Sequence, residues 1–147
     1  KTFNFYKFRT MIESADKLKE KYGQMSEVDG PVFKIDNDPR FTRFGRFLSK
    51  THLDELPQLW NIVKGDMFFV GFRPPTLDEV EKYNNWQIDR FKGYPGITSF
   101  WAVNGGHSKF TFNEWIKSDM EYEKKRSFYG DLKLIFRTIN LFIISFK

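Results

Sequence analysis

The chain has 147 residues, 40% of them apolar and 19% aromatic, with 18 phenylalanines, which suits one hydrophobic core that is rich in rings. It has no cysteine, so disulfides, thiolate nucleophiles and cysteine metal sites are excluded, and His52 and His107 are too few for a histidine-rich metal site. A net charge of +5 and a pI near 9.3 favour an anionic partner: a phosphorylated substrate, a membrane surface or nucleic acid.

Thr2 to Phe8 alternates polar and apolar residues and predicts a short strand, followed by a helix from about Thr10 to Tyr22 that ends at Gly23. Residues 23–40, rich in Gly, Asp, Asn and Pro, predict loop. Phe41 to Lys50 places Phe44, Phe47 and Leu48 on one face and Arg43, Arg46 and Lys50 elsewhere, a basic amphipathic helix suited to a core or to an anionic membrane surface. Leu53 to Lys64 predicts the next helix, and Met67 to Val70 a strand that leads into the turn Gly71-Phe72-Arg73-Pro74-Pro75. Thr76 to Glu79 has the pattern of a capping box opening a helix to about Lys92. Ile97 to Val103 predicts a strand closed by Asn104-Gly105-Gly106, and Thr111 to Glu114 a second capping box starting a helix to about Ser127. After Gly130 a last helix aligns Leu132, Ile135, Phe136, Ile139, Phe142 and Ile143, most of which are expected in the core. No parallel βαβ pattern and no glycine-rich phosphate loop is expected. No signal peptide is visible, and the strongest apolar run, Leu141 to Phe146, is far too short to span a bilayer. Because the chain opens at Lys1 in a strand-like segment, an upstream segment is expected.

The stretch Leu53-Asp54-Glu55-Leu56-Pro57-Gln58-Leu59 carries the most chemistry. Proline is tolerated in the first turn of a helix, so Pro57 puts Asp54 at or next to the N-cap, where free N–H groups and the helix dipole favour a charged, oriented carboxylate. Such a carboxylate can attack phosphorus, and the neighbouring Glu55 can hold a divalent cation against a diphosphate. The plainer alternative is that Asp54 only caps a helix and Glu55 is only solvated. Arg73, stiffened by the prolines after it, suits a bidentate grip on phosphate, or is a surface arginine in a tight turn. Lys7 and Arg9 fall on one side of the expected opening strand and either line a phosphate pocket or are two exposed cations. Asn104 to His107 is a polar turn able to touch a sugar or base.

Several segments, in order, resemble the bacterial sugar transferase family, the monotopic phosphoglycosyl transferases that act on polyprenol phosphate. They are Tyr6 to Met11, Asp38-Pro-Arg40, Gly45 to Leu48, Leu53 to Asn61, Lys64 to Met67 and Val70-Gly71 with Arg73-Pro74. Pro95 to Thr98, Val103 to Gly105, Asp119 with Tyr122, and Asp131 to Lys133 continue the series. Arg73 to Glu79 is similar to the hexose-1-phosphate transferases of capsule and exopolysaccharide pathways.

The resemblance implies an α+β, helix-dominated single catalytic domain over residues 1–147, with a few short strands. It would be membrane-associated through the amphipathic helices at Phe41 to Lys50 and Tyr129 to Phe146. A hydrophobic membrane helix is expected upstream, and the cytoplasmic face of the bacterial inner membrane is the implied location. Asp54 matches the nucleophile that attacks the β-phosphate of a UDP-sugar and releases UMP, before undecaprenyl phosphate takes the sugar phosphate from the aspartyl intermediate. Glu55 matches the Mg²⁺-binding partner, with Mn²⁺ as a substitute, while Arg73, Lys7, Arg9 and Asn104 match substrate-binding positions. Ser49, Phe72, Ala102 and Gly106 depart from the family's usual residues, and Phe72 is expected to loosen or reshape the Arg73 turn. A homo-oligomer is compatible with this reading. Two other readings are a divergent, inactive membrane-associated scaffold, and a basic nucleic-acid binder, for which no motif is present.

Overall fold

The computed structural model describes residues 1–146; Lys147, the last residue of the expected domain, lies outside the described residues. After an irregular first third, the chain forms α1 (Arg43–Lys50), α2 (Gln58–Val63), β1 (Phe68–Val70), α3 (Leu77–Val80), α4 (Asn85–Ile88), β2 (Gly96–Thr98) and α5 (Phe100–Val103), then the longer α6 (Phe112–Lys124) and α7 (Phe128–Ile144). Helix dominates, as expected. Side-chain caps place several of the starts: Thr42, Thr76, Ser99, Thr111 and Ser127 each accept a backbone N–H of the first turn that has no partner within the helix.

The two strands pair in parallel, Phe68 opposite Gly96 and Val70 opposite Thr98, and a further bridge joins Phe72 to Pro95. This corrects the expectation of no parallel βαβ unit. The crossover runs through α3 and α4, helices of four residues each, too short to write a helical period into the sequence. Glycine lets the two backbones meet: a Cβ on Gly71 would strike the Tyr94 carbonyl, and one on Gly96 the Gly71 nitrogen.

Other expected elements change for identifiable reasons. Thr2 to Phe8 forms no strand, because no strand lies beside it; its polar groups are taken by Asn61 and Asp54 instead. Residues 10–22 fold into successive turns rather than one helix, anchored by the buried Arg40, which donates to the Ala15 carbonyl and pairs with Asp38. The single helix expected from Thr76 to Lys92 is three pieces. It stops after Val80, turns Tyr83 into the core, restarts at Asn84, whose N–H donates to the Gln87 side chain, and ends in a 3₁₀ turn over Asp89–Lys92. The strand expected to reach Val103 ends at Thr98, since Ser99 caps α5.

Trp101, Trp115, Phe112, Tyr83, Ile116 and Val32 form the main core between α5, α6 and the α3–α4 crossover. Val70, Val103 and Leu134 form a second cluster that seats α7 on β1 and α5. α7 buries the expected apolar stripe only in part: Leu132, Ile135 and Phe142 are half-buried, with Ile135 packed against the second cluster. Leu134 is its buried residue, whereas Phe136, Ile139, Leu141, Ile143 and Ile144 are exposed. The physical reason is that α7 rests on the small sheet and α5 through one narrow edge, leaving the rest of its circumference uncovered.

Candidate active site

The segment before α2 bends sharply. His52 adopts a left-handed conformation (φ 56°), a 3₁₀ turn covers Leu53–Glu55, and Pro57, without an N–H, stands at the N-cap of α2. Asp54 therefore sits inside the turn and not at the helix cap, which corrects the sequence expectation. Its carboxylate faces Lys7, with Nζ 2.8 Å from Oδ2. Asp54 is 2% exposed, so a charge there is costly without a partner, and Lys7 supplies one. Lys7 Nζ also donates to Glu55 Oε1 at 3.4 Å. One ammonium thus lies between two carboxylates, and the group keeps a net negative charge.

Lys7 is held through the main chain on both sides. The Phe8 N–H donates to the Asp54 carbonyl at 2.9 Å, and the Tyr6 N–H donates to Asn61 Oδ1 at 3.1 Å. Asn61 Nδ2 donates to the Asn4 carbonyl at 2.7 Å. The extended opening segment is thereby fastened along α2 and the turn before it.

The remaining expected residues are placed differently. Arg9 is exposed and reaches Glu13 at 3.7 Å, away from the dyad. Arg73 is exposed on the turn after β1, and among the described residues its guanidinium makes no ion pair or hydrogen bond. Asn104 spends its side-chain N–H on the Phe100 carbonyl at 2.7 Å, closing α5. Of the four expected substrate-binding residues, Lys7 is the one in contact with Asp54 and Glu55.

The Arg73 turn is braced from below by Arg90, a residue the sequence reading passed over. Buried Arg90 donates to Asp119 at 2.7 Å, to the Tyr83 hydroxyl at 3.0 Å and to the Arg73 carbonyl at 3.2 Å. Its guanidinium lies 5.1 Å from the centre of the Phe72 ring. Phe72, whose departure from the family pattern suggested a looser or reshaped turn, is buried and packs between Arg90 and Phe91. A signal for this brace was available: Asp119 shares the buried face of α6 with Trp115 and Ile116, and a carboxylate on such a face needs a buried cation.

His107 lies edge-on to two indoles, 5.1 Å from Trp101 and 4.8 Å from Trp115. Burial pushes its imidazole down from 6.5 to about 4, and the charges of Lys34 and Arg73 act in the same direction. The unfolded chain therefore takes up this proton before the folded one. The stability that neutral His107 contributes is complete above pH 6.5 and is lost as pH falls to about 4. At Asp119 burial pushes the carboxyl up, and the Arg90 guanidinium beside it works against that shift. A comparison with His107→Phe isolates the histidine. The variant is expected to lose less Tm than the wild type between pH 6.5 and 4, and identical losses would refute the linkage.

The candidate site is a buried carboxylate beside a second, partly exposed one, with one lysine ammonium between them. The chain belongs to the bacterial sugar transferase family, whose model matches residues 1–145. It is 42% identical over 142 residues to the galactosyl transferase CpsE of Streptococcus agalactiae serotype III, an alignment covering 97% of this chain and 32% of that protein. It is 38% identical to the undecaprenyl-phosphate galactose phosphotransferase of Salmonella typhimurium, over 94% of this chain and 30% of the relative. With the exopolysaccharide production protein ExoY of Rhizobium meliloti it shares 36% identity, over 94% of this chain and 62% of the relative. The chain thus spans about a third of the length of the first two of these relatives.

Proposed function

We propose that this chain is the catalytic part of a phosphoglycosyl transferase that moves a hexose 1-phosphate from a UDP-sugar to undecaprenyl phosphate, at the start of exopolysaccharide or capsule synthesis. The observation that carries the reading is the buried Asp54 carboxylate paired with Lys7 beside Glu55. An Asp54 oxygen attacks the β-phosphorus, the bond to the bridging oxygen breaks, and UMP leaves with that oxygen and its electron pair. A phosphate oxygen of the polyprenol carrier then attacks the same phosphorus and frees the Asp54 carboxylate. Lys7 holds the carboxylate in place before the donor arrives, and its ammonium is close enough to pass to a phosphate oxygen as the bond forms. Arg73, whose guanidinium has no hydrogen-bond or ion-pair partner among the described residues, is the second phosphate ligand.

Glu55 fits a hard cation by chemistry: its carboxylate is partly exposed and adjoins a site with net negative charge. Among the described residues no three ligating side chains cluster, so the donor set is the sparse one of Mg²⁺, with one or two carboxylates and the substrate's phosphates completing it. Bound at Glu55, Mg²⁺ or Mn²⁺ would neutralise charge on the diphosphate and leaving group.

The acceptor is a lipid, and the exposed aromatic surface suits a bilayer. Phe44 and Phe47 project from α1 among Arg43, Arg46 and Lys50, and Phe136, Ile139 and Ile143 project from α7. No helix among the described residues is long and apolar enough to cross a membrane, so these surfaces would lie at the interface. The chain is expected to float with vesicles containing anionic lipid, less so at high salt, and Phe44→Ser with Phe47→Ser should weaken the association by about tenfold or more. Equal flotation of the variant would remove α1 from the contact.

The reading as a whole is tested with radiolabelled UDP-galactose or UDP-glucose, Mg²⁺ and undecaprenyl phosphate in detergent or vesicles. UMP and a labelled lipid product are expected together. Vesicle binding without either product would favour an inactive scaffold.

A further inference from the structure

We propose that Asn61 is a positioning residue that sets the register of the opening segment, and so places Lys7 against Asp54 and Glu55. The proposal rests on Asp54 being the nucleophile.

In an extended chain the polar groups of alternate residues point to one side. The Asn4 carbonyl, the Tyr6 N–H and the Phe8 N–H all point toward α2 and the turn before it. Partners there are the Asn61 side-chain N–H at 2.7 Å, the Asn61 side-chain oxygen at 3.1 Å and the Asp54 carbonyl at 2.9 Å. The carboxamide and one carbonyl together do what a neighbouring strand would do. Because side chains alternate along such a segment, a slip of one residue would replace Lys7 by Tyr6 or Phe8 and leave Asp54 without its cation. Asn61 is the element able to prevent that slip. It is 0% exposed, and its own carbonyl accepts the N–H groups of Asp66 and Met67, so it is fixed in the turn that leads to β1. The position also requires a carboxamide. An aspartate offers no donor to Asn4, a leucine neither donor nor acceptor, and each leaves a backbone group unpaired beside a closed interior.

A merely structural role would lower stability without acting through Lys7, and a double-mutant cycle separates the two. Asn61→Asp, which preserves volume, and Lys7→Met are each expected to slow single-turnover UMP release at saturating UDP-sugar by about 10- to 100-fold, the range of a charge-assisted hydrogen bond. The double variant should be no more than about twofold slower than Lys7→Met alone. Multiplicative losses, or a normal rate in Asn61→Asp, would overturn the proposal. If Asn61→Asp does not fold, Tyr6→Pro removes the donor to Asn61 Oδ1 from the other side and enters the same cycle. Hydrogen exchange supplies a readout without turnover. In the Asn61 variant the Phe8 amide should lose protection along with the Tyr6 amide; if Phe8 stays fully protected, Asn61 does not control the register at Lys7. A wild-type chain that releases no UMP would instead strike the nucleophile assignment, and the exchange measurement would still decide whether the clamp exists.

Discussion

The Asp54→Asn protein is expected to fold, to keep binding UDP-sugar, and to turn over about 10⁴-fold or more slowly, without ever accumulating a sugar phosphate on the polypeptide. An amide has no anionic oxygen to offer phosphorus, so the loss falls on the chemical step. The fold should tolerate the change. Asp54's structural contact with the opening segment is its main-chain carbonyl, which accepts from Phe8 and is unaffected. Lys7, released from the Asp54 carboxylate, keeps Glu55 at 3.4 Å, and 37% of its side chain is open to water, so it is not left as a buried, unpaired charge. Intact-mass measurement after mixing with UDP-sugar checks the outcome: the wild type should gain the mass of a hexose phosphate when the acceptor is withheld, and the variant should not. Near-wild-type UMP release by Asp54→Asn would remove the nucleophile.

What was legible in the sequence follows the range of the interactions. The starts of α3 and α6 were visible at Thr76 and Thr111 because a cap and its partner lie three residues apart. Asp54 and Glu55 were singled out because Pro57 marks where a helix can begin, although Asp54 lies in the 3₁₀ turn before that helix. What Asp54 faces was not, since Lys7 lies 47 positions away and arrives on a segment that reads as a strand. Asn61 and Arg90 were missed for the same reason: each is a polar residue whose partners, Asn4 and Tyr6 for one and Asp119 for the other, are brought near only by the fold. The stripe on α7 shows the opposite failure. Its period was read correctly as helical, but periodicity says that a face is apolar and not what covers it; Phe136 and Ile139 stand exposed while Leu134, off the expected stripe, packs on Val70 and Val103. The broken crossover between β1 and β2 was unreadable because Tyr83 leaves the helical pattern to reach Phe112 and Phe91, a choice made by the core.

Removing divalent cations is expected to abolish turnover, and Mg²⁺ or Mn²⁺ should restore it. The argument starts from charge. Asp54 and Glu55 share the single ammonium of Lys7, so the resting site is already negative, and a UDP-sugar brings a diphosphate beside it. Like charges at such distances in a partly buried site repel by several kcal/mol at an effective dielectric of roughly 20. Lys7 cannot neutralise the dyad and the diphosphate at once. The proposed mechanism therefore calls for a further cation, and carboxylate and phosphate oxygens suit a hard one. With Glu55 and the substrate's phosphates as the proposed ligands, metal and UDP-sugar should bind cooperatively. Glu55→Gln keeps the size of the side chain and its acceptor oxygen but removes the charge. It should raise the Mg²⁺ concentration for half-maximal UMP release by about tenfold or more, or abolish release, while Arg9→Ala, whose side chain reaches only Glu13, should leave that concentration unchanged. Titrations of UMP release against Mg²⁺ in the three proteins make the comparison, and full activity of the wild type in excess EDTA would exclude the cation from the mechanism.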